Sequence, residues 1–192
     1  MITDRQQQII EEAVKLIDEK GIQGLTIKNL SKEIGISEPG IYRHFESKFA
    51  ILHMILDSFR AMMQMNHDLF LSADDEGIEK LRQLMKQVLS IFVQEPALVS
   101  VIFSEEIFHN EKQLTEMVVN IQEINQNLVK HIYRGLQQEN KITQNISPEM
   151  FSLLYFGSIR LLVKNWKYQQ YQFDLLQKGE ELFETLLVAI RK

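Results

Sequence analysis

The chain has 192 residues, a formal net charge of −5 and no cysteine. This length allows one large or two small domains with a buried core, and the missing thiols exclude disulfides and cysteine-ligated metal sites. The N-terminus lacks the basic start and apolar run of a secretion signal, and no apolar stretch approaches the roughly 20 residues of a membrane span. We therefore expect a cytoplasmic protein without membrane contacts.

The first 21 residues predict one amphipathic helix. Thr3 and Gln6 have the spacing of a capping box, in which each side chain binds a free backbone N–H. Gly21 is a stop signal at the other end. One face of the helix carries the apolar residues Ile10, Ala13, Val14 and Ile17. We expect this face to pack on the next two helices and close a three-helix domain.

Residues 26–48 predict two short helices joined by a glycine turn. Thr26 can cap the first helix and Ser37 the second, while Gly35 can adopt the left-handed conformation that ends a helix. Two apolar pairs, Leu25 with Leu30 and Ile36 with Ile41, occupy hydrophobic-staple positions around the caps. The pattern is typical of a helix-turn-helix. Four basic side chains against three acidic ones make the segment weakly basic, so we expect few phosphate contacts.

The second helix continues into the run from Gly40 to Phe45, with Lys48 three residues further on. Together with Thr26, the turn at Gly35 and the cap at Ser37, this run resembles the DNA-binding end of the TetR family of bacterial transcriptional regulators. The resemblance implies an all-α fold of about nine helices. It implies a three-helix helix-turn-helix domain in residues 1–47, and a larger helical domain for effector binding and dimerisation in residues 48–192.

The resemblance also implies a role on double-stranded DNA for individual residues. The expected phosphate contacts are Tyr42, His44 and Lys48, with Thr26 adding another through its cap. The side chains expected at base edges are Lys28, Glu38, Pro39, Gly40 and Arg43, on a helix that Ser37 caps. The Glu38 carboxylate could accept a hydrogen bond from a cytosine amino group or favour the helix dipole, and both interpretations remain open.

The middle of the chain predicts a methionine-rich helix from Ser47 to about residue 71 and a polar break at residues 72–77. Further helices follow, up to Pro96, at about 97–108 and at about 114–136. Methionine and aromatic residues at helical spacing are more often core than cavity lining. The resemblance favours the second interpretation, because such regulators hold an apolar effector between these helices. The candidate effector contacts are Met62, Phe92, Phe103, Phe108, His109, Asn110, Met117, Tyr155 and Trp166.

The last two predicted helices are candidates for a homodimer interface. Ser147-Pro148 begins the first, which is apolar on nearly every side and so needs burial on two faces. The second runs from about 174 to 190. One face of each is expected on a partner copy, and the resemblance implies a four-helix bundle of two copies. The candidate interface residues are Phe151, Tyr155, Ile159, Leu162, Leu182, Phe183, Leu186, Leu187 and Ile190.

Two other functional classes fit the sequence less well. Glu106-x-x-His109 has the spacing of a di-iron bundle ligand pair, but the second copy that such a site needs is missing. No catalytic motif indicates an enzyme, and no metal or other cofactor is indicated. We predict a repressor that a small, mostly apolar effector releases from a palindromic operator. Activation remains open, as does a helical carrier or interaction protein that binds an acidic partner other than DNA.

Overall fold

The computed structural model describes residues 2–72, 76–104 and 111–192, with side chains described outside residues 65–72. Over these residues the chain forms nine α-helices and no strand. They are α1 Asp4–Gly24, α2 Ile27–Ile34, α3 Glu38–Tyr42, α4 Lys48–Ser72, α5 Gly77–Gln94, α6 Leu98–Ile102, α7 Lys112–Gln138, α8 Pro148–Tyr168 and α9 Leu175–Ile190. The prediction of an all-α fold is confirmed. Within the described part of the chain, no helix is both long enough and apolar enough to cross a membrane.

The predicted helix starts are confirmed where the sequence placed a capping side chain. The Thr3 hydroxyl accepts from the Gln6 N–H at 3.2 Å, and the Gln6 side chain accepts from the Thr3 N–H at 3.0 Å. The hydroxyls of Thr26, Ser37 and Ser147 cap α2, α3 and α8 in the same way. Each cap satisfies a backbone donor that the helix leaves free and contributes about 1 kcal/mol. Local chemistry therefore sets these boundaries.

Two helix ends differ from the sequence prediction. The backbone of α1 breaks at Gly21, as predicted, with φ 67°, but helical structure resumes and reaches Gly24. The helix α6 is shorter than the predicted 97–108, because the Ser104 N–H binds the Val101 carbonyl three residues back and tightens the last turn. Residues 105–110 lie outside the described part of the chain.

The first of two compact units comprises Met1–Met62 and Ala97–Val119. Its buried core draws on α1, on the helix-turn-helix and on the first half of α4, and it also includes Val101 of α6 and Leu114 of α7. Full burial of one such aliphatic side chain stabilises the fold by about 1.5–3 kcal/mol. This unit is therefore larger than the segment 1–47 that the sequence analysis assigned to the DNA-binding domain.

The second compact unit comprises Met63–Pro96 and Asn120–Lys192. Here α9 packs on α5 and α8, and an ion-pair network accompanies the α5–α9 contact. The Arg82 guanidinium of α5 binds Glu180 and, at 2.6 Å, Glu184 on α9, and it also lies 4.6 Å from the centre of the Phe183 ring. These contacts fix α9 against α5 within the second unit, which carries all nine predicted dimer residues.

Candidate nucleic-acid interface and effector region

The turn between α2 and α3 has the geometry that the sequence predicted. Gly35 adopts the left-handed conformation, with φ 76° and ψ 31°. The N–H groups of Gly35 and Ile36 both reach the Ser31 carbonyl at 3.0 Å, which satisfies the end of α2. Glycine reaches this conformation without steric cost. Leu30 and Ile41, both fully buried, hold the two helices on a common core on either side of the turn.

The helix-turn-helix exposes most of the side chains that were predicted to contact DNA. Tyr42 is 53% exposed, whereas its neighbour Ile41 is fully buried. The other exposed members of the set are Thr26, Lys28, Ser37, Glu38, Pro39 and Arg43, while Gly40 and His44 are half-buried. Hydrogen-bonding and charged side chains therefore lie above an apolar base. This arrangement can bind phosphates and base edges, and the individual DNA contacts remain predictions.

Gly40 is not required by packing within the fold. A methyl group built at this position would lie 3.4 Å from the Ser37 hydroxyl and 3.5 Å from the nearest Ile36 carbon, which are ordinary contact distances. Gly40 also has no unusual backbone conformation, because the glycines with positive φ are Gly21 and Gly35. The fold therefore tolerates a methyl group at this position, and the role of Gly40 at base edges remains a prediction.

Lys48 has a structural contact in addition to its predicted phosphate contact. Its ammonium group donates to the Ile22 carbonyl at 2.7 Å, just beyond the break at Gly21. This bond ties the start of α4 to the end of α1. An ammonium group carries three donors, and the contact with Ile22 uses one of them. The phosphate role of Lys48 remains a prediction.

The sequence analysis missed a second contact that positions α3. The Gln6 side chain accepts the capping bond at Thr3 and also donates from Nε2 to the His44 carbonyl at 3.4 Å. The start of α1 is thereby linked to the residues that follow α3. Only the capping-box spacing was visible in the sequence, because His44 is 38 positions away.

The predicted effector contacts are divided between the two units. Met62, Phe103 and Met117 belong to the first unit, and Phe92, Tyr155 and Trp166 to the second. Phe108, His109 and Asn110 lie outside the described residues. The effector role of the six described residues remains a prediction.

Tyr155 and Trp166 already use their polar groups within the fold. The Tyr155 hydroxyl donates to the Leu81 carbonyl at 2.7 Å, and the Trp166 ring N–H donates to the Phe173 carbonyl at 2.9 Å. Burial raises the pKa of Tyr155 well above its ordinary value, against a smaller opposing effect of the Met85 backbone. These two side chains therefore act first as core residues with satisfied hydrogen bonds.

Tyr133 on α7 differs from Tyr155 and was not among the predicted residues. Its side chain is fully buried and its ring stacks on Phe151, with the ring centres 4.3 Å apart. Its hydroxyl has no hydrogen-bond partner in the part of the chain that the structure describes. Leaving a buried hydroxyl unpaired costs about 1–3 kcal/mol. Burial also raises the pKa of Tyr133, so the phenol stays protonated and is a hydrogen-bond donor at neutral pH.

The predicted dimer surface consists mostly of side chains that are buried in the protomer. Six of its nine residues, Phe151, Tyr155, Ile159, Phe183, Leu187 and Ile190, are buried within their own chain, and Leu162, Leu182 and Leu186 are half-buried. The helix α8 is apolar all round and its bulkiest side chains fill the protomer core, so the interface role of these residues stays a prediction. Leu153 is 60% exposed and Leu161 is 61% exposed, and Met150, Leu154 and, on α9, Val188 are also exposed. These are the apolar side chains available to a partner.

The Glu106-x-x-His109 spacing, which the sequence analysis did not take as a metal site, cannot be placed in the structure. Glu106 and His109 lie outside the described residues. Among the residues that the structure does describe, no cluster of three or more histidine, aspartate or glutamate side chains could hold a metal ion. The pair therefore contributes nothing to the candidate sites.

Two protein-family models together cover most of the chain. Residues 9–55 match the bacterial regulatory proteins of the tetR family, and residues 57–189 match the C-terminal region of YsiA-like proteins. The chain belongs to the tetR family of bacterial regulatory proteins. The resemblance recognised in the helix-turn-helix is thereby confirmed. The protein is a DNA-binding transcriptional regulator of this family, which is one of regulators and not of enzymes.

Three individual proteins show how the tetR-family similarity extends along the chain. The transcriptional regulator AcrR of Shigella flexneri is 23% identical over 194 residues, covering 96% of this chain and 88% of AcrR. The nucleoid occlusion factor SlmA of Vibrio campbellii is 21% identical over 173 residues, covering 87% and 88%. FadR of Bacillus subtilis, solved in complex with stearoyl-CoA, superposes with a TM-score of 0.80 at 20% identity, covering 94% and 96%. The FadR similarity concerns the fold.

Proposed function

We propose that the protein is a homodimeric repressor that a small, mostly apolar effector releases from a palindromic operator. The observation that carries the proposal is the helix-turn-helix surface, where the exposed Tyr42 and Arg43 directly follow the buried Ile41. The Tyr42 hydroxyl supplies a hydrogen bond to a phosphate. The Arg43 guanidinium can reach a guanine edge, for which its paired donors are suited.

A two-fold dimer fits this mode of binding. Two helix-turn-helix motifs related by a two-fold axis can occupy successive major grooves about 34 Å apart, and the operator is then palindromic. The exposed stripe of α8 that includes Leu153 and Leu161 supports pairing between copies. Clusters of exposed apolar side chains mark surfaces that contact another protein. Val188 on α9 adds to the same type of surface.

The effector is proposed to be a molecule with a long acyl chain. The core of the second unit is apolar, and Tyr133, Phe151 and Tyr155 are aromatic neighbours in it. FadR of Bacillus subtilis, which shares the fold, was solved with stearoyl-CoA. A long-chain acyl thioester therefore gives a concrete ligand for testing, and its apolar tail matches an apolar interior.

Release of DNA follows if the effector binds more tightly to a conformation that holds DNA poorly. The helix α4 begins at Lys48 in the first unit, and from Met63 its residues belong to the second. In this proposal, effector binding moves α4 and changes the separation of the two α3 helices. By linkage, DNA and effector must weaken each other's binding by the same factor.

The test is fluorescence anisotropy of the purified protein with DNA from immediately upstream of its own gene, over a salt series and against unrelated competitor DNA. Tight, competitor-resistant and salt-sensitive binding is expected, and stearoyl-CoA should raise the apparent Kd. Tyr42→Phe should weaken binding to every sequence by about tenfold, because one charge-assisted hydrogen bond is lost. Arg43→Ala should change the preference among operator variants.

Two results would count against the proposal. Binding no tighter than to competitor DNA, with further genomic fragments giving the same result, would favour the carrier or interaction protein with another acidic partner. Simultaneous binding of DNA and stearoyl-CoA without mutual weakening would contradict the release mechanism.

A further inference from the structure

The hydroxyl of Tyr133 is the strongest unexplained feature of the second unit. The side chain is fully buried, yet its hydroxyl oxygen has no partner among the described residues. Phenylalanine would keep the stacking on Phe151, 4.3 Å between ring centres, without burying an unpaired polar group. The fold therefore gains nothing from this oxygen, which suggests that its partner is a bound molecule.

Tyr155 provides an internal comparison. It lies in the same aromatic cluster, since its ring centre is 6.0 Å from that of Phe151. Its hydroxyl, however, donates to the Leu81 carbonyl at 2.7 Å and so serves the fold. Two buried tyrosines thus share a neighbour but differ in whether a protein acceptor is present.

The surroundings of Tyr133 restrict the kind of molecule that could supply the acceptor. On α7 beside Tyr133, the apolar residues Val129, Ile132 and Leu136 are buried, whereas the polar Lys130 and Gln137 are only half-buried. Phe151 covers the ring. An apolar ligand with a single acceptor at the hydroxyl matches this set, whereas a ligand with many charges would lose its hydration without compensation. A long-chain acyl group is apolar and has a single acceptor, its carbonyl oxygen, which would lie at the Tyr133 hydroxyl.

We propose that the Tyr133 hydroxyl donates a hydrogen bond to the carbonyl oxygen of the effector's acyl group. This role rests on the proposed function, in which the effector carries a long acyl chain. Tyr133 thereby distinguishes acyl compounds from alkyl compounds of equal length. A binding site that pairs a polar group of its ligand rejects an analogue that leaves the site's own polar group unpaired.

The experiment compares two ligands and three proteins by isothermal titration calorimetry at ligand concentrations below micelle formation. The ligands are stearoyl-CoA and S-octadecyl-CoA, a thioether that lacks only the carbonyl oxygen. The proteins are the full-length chain, Tyr133→Phe and, as the matched control, Tyr155→Phe. The full-length chain should bind the thioester about tenfold more tightly than the thioether, which corresponds to about 1.4 kcal/mol.

Tyr133→Phe should bind both ligands with the weaker affinity of the thioether, and Tyr155→Phe should retain the tenfold preference. In urea unfolding without ligand, Tyr133→Phe should be at least as stable as the unmodified chain, while Tyr155→Phe should be less stable because the Leu81 carbonyl loses its donor. This second readout separates a ligand contact from a purely structural hydroxyl.

The possible failures are distinguishable. Equal preference for the thioester in the unmodified chain and in Tyr133→Phe would overturn the assignment and leave the proposed function intact. A loss of stability in Tyr133→Phe equal to that in Tyr155→Phe would also overturn it. Binding of neither ligand would remove the acyl effector and the assignment together. Normal ligand binding without release of DNA would contradict the proposed function alone.

Discussion

The helix-turn-helix and the last two helices arrange polar and apolar side chains in opposite ways. In the helix-turn-helix, the buried Ile41 lies between exposed polar and aromatic residues such as Tyr42. In α8, Tyr155 is fully buried while Leu153 and Leu161 are more than half exposed. An exposed polar surface is suited to binding DNA, whereas exposed leucines are suited to contact with another protein. Residue type alone therefore does not identify an interface, because the exposure of a side chain decides what that side chain can contact.

Leucine truncation gives the largest expected contrast between the regions. Leu30→Ala should lower the free energy of unfolding by about 2–5 kcal/mol, because it leaves a cavity in a fully buried site. Leu161→Ala, on the exposed stripe of α8, should change the stability of the monomer by less than about 0.5 kcal/mol. Urea unfolding at two protein concentrations separates monomer stability from association. Equal losses in both variants would show that Leu161 is part of the protomer core.

Charge placed on the α8 stripe should weaken dimerisation. Combined Leu153→Glu and Leu161→Glu should raise the dimer dissociation constant at least about a hundredfold, or about 2.7 kcal/mol, because like charges would then face each other across the axis. Val93→Glu is the matched control, because Val93 is 41% exposed on α5. Sedimentation equilibrium gives the constants. An unchanged dimer in the double variant would place the contact between copies on another surface.

Two glycines of the helix-turn-helix should respond differently to alanine. Gly35→Ala should cost about 1–2 kcal/mol of stability, because its φ of 76° is strained for a residue with a Cβ. Gly40→Ala should leave the fold stable, because its methyl group would lie at ordinary contact distances from Ser37 and Ile36, and should weaken operator binding, since the proposed interface brings DNA close to this position. Urea unfolding and fluorescence anisotropy measure the two effects. Full operator affinity in Gly40→Ala would contradict close approach of DNA at this position.

The smallest expected effect concerns Lys48. Lys48→Met should lower the free energy of unfolding by about 1 kcal/mol, since the Ile22 carbonyl loses its donor, and should also weaken DNA binding. Tyr42→Phe should weaken DNA binding without changing stability, because the side chain is 53% exposed. The same two assays distinguish the variants. Unchanged stability of Lys48→Met would mean that the contact with Ile22 contributes little to the fold.

Short-range signals made the helix-turn-helix predictable. The sequence predicts four features that the structure has: the caps at Thr26 and Ser37, the left-handed Gly35 and the buried Ile41. These features depend on residues within about four positions of one another. The contact from Gln6 to the His44 carbonyl was not predictable, because its partners are 38 residues apart.

The sequence by itself determined the all-α class, most helix starts and the identity of the DNA-facing motif, since each depends on local spacing and capping. Only the tertiary structure decided which face of α8 is buried, because a helix that is apolar all round has no internal signal for direction. It also separated Tyr155, whose hydroxyl has the Leu81 carbonyl as acceptor, from Tyr133, whose hydroxyl has none among the described residues. The difference depends on an acceptor 74 residues away in the chain, and folding alone brings it into contact.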